Sequence, residues 1–88
     1  MIVSFYSKVK EYTNGENTYS PASNIHTTLR ELLDELVLHY GERFEAFIYG
    51  SETCLFLVNG KGIKLSGGLD TPIKPGDKIE ILPFVEAG

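Results

Sequence analysis

The residues best placed to do chemistry in this chain stand at its end. Ile81-Leu82-Pro83-Phe84-Val85-Glu86-Ala87-Gly88 is a strand-like run that reaches a proline and gives way to a short tail closing on glycine. Read as a terminus, Gly88 offers a free carboxylate with no Cβ beside it, and it can thread a channel that a larger residue would block. A carboxylate is unreactive until one of its oxygens becomes a leaving group. Adenylation by ATP achieves this, and a sulfur or amine nucleophile can then displace AMP. Six residues span about 20 Å at ~3.3–3.6 Å each, which lets Gly88 enter another protein's active site while the folded body docks outside. The competing reading is a frayed end, because most termini are poorly ordered.

The other reactive side chains point to no chemistry of their own. Gly60-Lys61-Gly62 and Gly67-Gly68 lack the Gly-x4-Gly-Lys-Ser/Thr spacing of a phosphate loop, and no helix follows to offer its N-terminal amides; plain β-turns explain these glycines. His26 stands just before a helix cap and His39 in the last turn of that helix, where a cation suits the helix dipole. Neither has a Cys, His or acidic partner at ligand spacing, so a solvated or capping role is favoured and no metal site is expected. Cys54 precedes an apolar strand with no local His or basic neighbour to lower its pKa, which reads as a packed, inert thiol. Phe84, next to Pro83 and beyond the last strand, serves either as an exposed interface anchor or as a side chain folded back onto the sheet edge.

Composition narrows the classes further. Eighty-eight residues, 42% of them hydrophobic, make one small domain that buries roughly 60–65% of its unfolded surface and leaves little room for a deep active-site cavity. The net charge of −4 is opposite to the balance of a nucleic-acid binder, and Lys and Arg do not cluster. One cysteine cannot build a disulfide framework. No run of about 18 apolar residues and no signal peptide is present, so a cytoplasmic protein with no membrane partner is expected.

The elements that must position the tail follow from periodicity. Ile2 to Val9 alternates in part and reads as a strand; Thr13 to Asn17, with Asn14-Gly15, reads as a turn; Thr18 to Ala22 reads as a returning strand cut short by Pro21. Thr28 and Glu31 form a capping-box pattern, and Leu29, Leu32, Leu33, Leu36, Val37 and Tyr40 follow as one apolar stripe. A helix from near Thr28 to near Gly41 is predicted, with Leu29, Leu33, Leu36 and Val37 toward a sheet. Arg43 to Ser51 reads as a loop or irregular strand from which Phe44, Phe47 and Ile48 pack under the sheet. Thr53 to Val58 is continuously apolar, the pattern of a strand buried on both faces. Ile63 to Leu65 is a short strand, Leu69 to Asp77 is turn-rich with room for one helical turn, and Lys78 to Leu82 is the last strand. One helix over such a mixed sheet is a two-layer α+β fold. With the first and last strands side by side at its centre, it is the β-grasp, or ubiquitin-like, arrangement of about four to five strands and one main helix. Residues 1–82 are the folded domain and 83–88 a flexible tail, with everything after Val85 expected to be mobile and free of core contacts.

Four segments together resemble the MoaD/ThiS-type sulfur carriers, closest to MoaD, the small subunit of molybdopterin synthase. They are Val3-Ser4-Phe5-Tyr6-Ser7-Lys8-Val9-Lys10-Glu11, Thr28-Leu29-Arg30-Glu31-Leu32-Leu33, Val58-Asn59-Gly60, and the most specific, Leu69 to Ile79 followed by Leu82-Pro83. The resemblance implies that Gly88 is adenylated by a MoeB-like enzyme, which uses the ATP, and is then converted to a thiocarboxylate. It implies that Val85, Glu86, Ala87 and Gly88 insert into a MoaE-like large subunit, with Pro83 and Phe84 at the interface. The chain itself would bind no cofactor and supply no catalytic residue. Two positions depart from the pattern: Ala87 replaces the usual penultimate glycine, and Phe84 stands where a second proline is common. The same activated tail would also serve a ubiquitin-like modifier joined to target lysines or a carrier for thiamine or cysteine synthesis. A β-grasp interaction module without carrier function is a further alternative.

Overall fold

The computed structural model describes residues 1–21, 28–50, 54–63 and 68–83. Among them, five strands form one mixed sheet: β1 Ile2–Phe5, β2 Thr18–Tyr19, β3 Cys54–Val58, β4 Lys61–Gly62 and β5 Lys78–Pro83, in the spatial order β2-β1-β5-β3-β4. β1 and β5 run parallel at the centre, with Val3 opposite Ile79 and Phe5 opposite Ile81; the other pairings are antiparallel. Two helices, α1 Leu29–Tyr40 and α2 Glu42–Tyr49, complete the β-grasp fold that the alternation of apolar residues predicts.

Helix α1 starts where its capping box stands. The Thr28 hydroxyl accepts from the Glu31 amide (3.3 Å), and the Glu31 carboxylate accepts from the Thr28 amide (3.2 Å). Leu29, Leu32, Leu33 and Leu36 are fully buried, whereas Val37 sits half-buried at the flank. These four residues repeat at helical spacing and close over Val3, Phe5, Ile79, Ile81 and Phe56 of the sheet. Gly41, at φ +95°, ends α1 with its amide on the Val37 carbonyl (2.8 Å), and its own carbonyl receives the Glu45 amide (3.2 Å). A left-handed residue between two helices is where glycine has the lowest strain.

Three expectations need correction. The segment 43–51 is not an irregular strand, because helix α2 occupies Glu42–Tyr49. Phe44 and Ile48 are buried as expected, but from a helix on which Phe44, Phe47 and Ile48 share one face; Phe47 stacks on Tyr12 with centroids 4.4 Å apart. The first strand ends at Phe5, not Val9: Ser7 takes φ +52°, and a 3-10 helix spans Ser7–Tyr12 with Val9 buried beneath it. Finally, β3 is not buried on both faces. Phe56 points into the core, while Leu55 and Leu57 stay partly exposed on the side away from the helices. Smaller boundary shifts accompany these. The returning strand is Thr18–Tyr19, with Ala22 outside the described residues. The strand expected at 63–65 lies at Lys61–Gly62, with Leu65 also outside them.

Two tyrosines tie the hairpin to α1. Tyr19 donates to Glu35 (2.5 Å) and Tyr40 to Glu16 (2.6 Å). The hydrogen bond to Glu35, with burial and that carboxylate's charge, pushes the Tyr19 phenol up to about 12. Burial and then the bond to Glu16 raise Tyr40 still further. Both therefore act as neutral donors across the physiological range.

Candidate functional site at the root of the tail

Of the tail expected at 83–88, Pro83 belongs instead to the end of β5; 84–88 lie outside the described residues, so Phe84, Val85, Glu86, Ala87 and Gly88 have no structural account here, and neither does the expected mobility after Val85. Its root is fully placed. Strand β5 carries Leu82 and Pro83 at its end, with Leu82 opposite Leu55 and Pro83 opposite Cys54 of β3. On the other side the Tyr6 amide donates to the Ile81 carbonyl (3.1 Å), extending the pairing of β1 beyond Phe5. Pro83 lacks an N–H and is tolerated at the end of the ladder. The tail therefore departs from the centre of the sheet, held on both flanks.

The opposite end of β5 is fixed by a buried carboxylate. Asp77 accepts from the Asn59 amide side chain (3.0 Å) and from the Lys74 backbone amide (2.9 Å). Asn59, at φ +53°, in turn receives the Lys78 amide on its side-chain oxygen (2.9 Å), and its own amide donates to the Lys78 carbonyl (2.8 Å). This arrangement joins the β3–β4 turn to the start of β5 and sets the register in which β5 delivers the tail. Asn59 first, and then the Lys74 amide, hold the Asp77 carboxyl below its ordinary value of 3.8, against the opposing effect of burial. Asp77→Ala leaves two donors without their acceptor, and a stability loss of about 1–3 kcal/mol is expected in urea unfolding. The sign with pH follows from linkage. A depressed carboxyl contributes stability above its unfolded pKa and loses it as pH falls through the lower folded value. The gap in stability between wild type and Asp77→Asn should therefore shrink on acidification below about pH 4, toward the folded pKa. A gap that stays constant through that range would show that the Asp77 charge plays no part.

The face of the sheet turned away from the helices bears Ile2, Ser4, Leu55, Leu57, Lys78, Glu80 and Leu82, since their strand neighbours point into the core. Tyr6 lies over it and donates to Glu80 Oε2 (2.8 Å). Sequence reading left this face unmarked. The signal on β5 was the alternation of Lys78 to Leu82; its partner β3, a continuous apolar run, offered none.

A family model for the ThiS family matches residues 3–88, nearly the whole chain and the tail with it. The chain belongs to the ThiS family. Solved structures agree with the ThiS assignment. CysO from Mycobacterium tuberculosis, described as an antigen, is 28% identical with a TM-score of 0.78, over 96% of this chain and 98% of that one. The small archaeal modifier protein 1 (SAMP1) of Methanosarcina acetivorans is 25% identical with a TM-score of 0.74, over 99% and 94%. A chain in the complex of subunits 1 and 2 of the molybdopterin-converting factor from Helicobacter pylori 26695 is 26% identical with a TM-score of 0.60, over 99% and 96%. No curated protein matches the chain significantly. The ThiS family is one of ubiquitin-like sulfur carriers, and its members' β-grasp fold is the fold seen here.

Within this ThiS-family chain the remaining candidates fall into place. Cys54 is half-buried, its thiol 3.6 Å from the Ile48 carbonyl and packed against the core. His39 is exposed in the last turn of α1, with its ring 4.9 Å from that of Tyr19 and 4.6 Å from that of Tyr40. His26 and Gly67 lie outside the described residues. Gly60, at φ +83°, makes the turn between β3 and β4, and Gly68, at φ +66°, opens a 3-10 turn over Gly68–Asp70. Among the described residues no three His, Cys, Asp or Glu side chains gather to hold a metal ion, and no helix is long and apolar enough to cross a membrane.

Proposed function

We propose that this chain is a sulfur carrier whose Gly88 carboxylate is adenylated and then converted to a thiocarboxylate, and that the sulfur is donated in molybdopterin synthesis. The observation that carries the reading is the match to the ThiS family through residue 88, together with a root that fixes where the tail leaves the sheet. In the first step a Gly88 oxygen attacks the α-phosphorus of ATP and pyrophosphate leaves. In the second a sulfur nucleophile attacks the carbonyl carbon and AMP leaves. ATP belongs to a MoeB-like activating enzyme, and this chain binds no cofactor and supplies no catalytic residue. Val85 to Gly88 enter the partner's channel, with Pro83 and Phe84 at its mouth. The similarity to one chain of the Helicobacter pylori molybdopterin-converting factor complex supports a MoaE-like recipient.

A second reading has its own support: likeness to an archaeal small modifier protein favours conjugation of Gly88 to target lysines. One experiment separates the two. The protein is incubated with the host's activating enzymes, ATP and a sulfur source, and its intact mass is measured. Replacement of one oxygen by sulfur, with transfer to a precursor by a MoaE-like subunit, supports the first reading. Isopeptide-linked adducts without thiocarboxylate support the second, and no adenylation by any of these enzymes sinks both.

Ala87 bears on how dedicated that partner is. A channel fitted closely to glycine resists one added methyl at about 1–3 kcal/mol. A partner that evolved with Ala87 is wider there, so Ala87→Gly is expected to change the rate of adenylation by no more than about twofold. A gain of roughly fivefold to a hundredfold would instead mean that the channel was shaped for two glycines.

A further inference from the structure

Glu80 is the one feature of the helix-free sheet face that the proposed chemistry leaves unexplained. It stands in the centre of that face, on the row Ser4–Glu80–Leu57, with Leu82 and Leu55 on the next row toward the tail. Its side chain is only 16% exposed. Both of its contacts fall on the same oxygen: the Tyr6 hydroxyl at 2.8 Å, and the Lys78 ammonium, itself well exposed, at 3.9 Å. No described residue pairs with Oε1. Across Leu57 from it, on β4, Gly62 has no side chain, and Leu55 and Leu57 each hold a methyl 4.0 Å from where its Cβ would stand. The face therefore carries a half-sunk carboxylate at its middle, with Leu55, Leu57 and Leu82 on one side of it and Ser4 and the exposed Lys78 on the other.

We infer that Glu80 makes this face selective for an activating enzyme that presents a basic side chain, arginine or lysine, within an apolar surround. The inference rests on the reading of Gly88 as the adenylated residue. The occupant follows from chain continuity: Leu82 lies on this face, and the tail begins within two residues of it. An enzyme that holds Gly88 no more than about 20 Å from the root docks at this end of the sheet, where the open face carries Leu82. On the helix side Cys54, opposite Pro83, packs against Ile48 and takes up part of the root. Contact on the open side removes water from Oε1. A carboxylate oxygen left without a donor in an apolar interface is costly, so an apolar partner alone is rejected. A guanidinium or ammonium aimed at Oε1 satisfies the free oxygen, and it complements a chain with net charge −4. Tyr6 holds Oε2 and leaves Oε1 for the partner's donor.

The test uses ATP–pyrophosphate exchange by the host activating enzymes, with the full chain as the varied substrate. Glu80→Gln keeps the shape of the side chain and removes its charge. It should raise KM for the chain at least about tenfold with kcat unchanged, and it should flatten the rise of KM with NaCl that the wild type shows. Glu80→Lys should abolish exchange at concentrations that saturate with wild type. Where Glu80→Gln lowers Tm, the wild type's own salt dependence decides: a KM that does not rise with NaCl overturns the inference. Exchange by Glu80→Gln with the wild-type KM overturns it as well and leaves the sulfur-carrier reading standing. Absence of exchange with the wild-type chain overturns both.

Discussion

Removal of Gly88 is expected to abolish adenylation while leaving the melting temperature unchanged within about 2 °C. The two halves of this result have separate causes. Activation depends on where the carboxylate sits, and each residue of an extended tail contributes ~3.3–3.6 Å of reach. A tail one residue short presents its carboxylate that far from the α-phosphorus, and a misplacement of about 1 Å can already cost a hundredfold in rate. Pyrophosphate exchange should therefore fall to background even though Ala87 then carries a carboxylate of its own. Among the described residues, stability depends on a buried set that ends at Ile81 and on pairing of β5, which ends at Pro83. No interaction in the described core requires Gly88. Thermal unfolding and exchange measured on the same preparation check both halves. A truncated chain that unfolds would show the tail to be structural, and one that still exchanges pyrophosphate would remove Gly88 from the chemistry.

The contrast between α1 and α2 shows what the sequence made readable. Helix α1 is marked at both ends, by Thr28 with Glu31 and by Gly41, and its four buried leucines recur over two turns. Helix α2 has the same kind of stripe in Phe44, Phe47 and Ile48, but only eight residues long and set between Gly41 and Gly50. At that length the glycines read as loop punctuation, although one of them is the shared cap of both helices. The end of β1 was hidden for a different reason. Val9 is buried, so alternation continues on paper through Ser7, where the backbone has already turned into the left-handed region. Non-glycine residues enter that region for tertiary reasons, and no local pattern announces it. The sheet face around Glu80 went unread because Leu55 and Leu57, within a continuous apolar run, look buried until β5 is seen to bring a carboxylate beside them. The role proposed for the tail rests on its own residues and on family resemblance, and the fold adds where β5 ends.

Leu33→Ala should cost ~2–5 kcal/mol, the range for a large core residue cut to alanine where the surroundings collapse only in part. Leu33 is fully buried in the cluster that α1 forms over the central strands, so both the lost transfer energy and the cavity fall on the layer that holds β1 and β5 together. A domain of this size is stable by only roughly 5–10 kcal/mol, so the substitution removes a large share of it. The shift in Tm should be about 8–40 °C, at about 4–8 °C per kcal/mol. In urea the midpoint should fall with the slope unchanged, which marks a loss of stability rather than a change in the unfolded state. Leu38 supplies the control from the same helix. It is 88% exposed, and Leu38→Ala should stay within about 0.5 kcal/mol of wild type. The pair tests orientation rather than helicity, because both substitutions change leucine to alanine in the same helix and differ chiefly in which face they empty. A cost below about 1 kcal/mol for Leu33→Ala, or a larger one for Leu38→Ala, would mean that α1 is rotated about its axis and that β5 is held at the tail's root by some other layer.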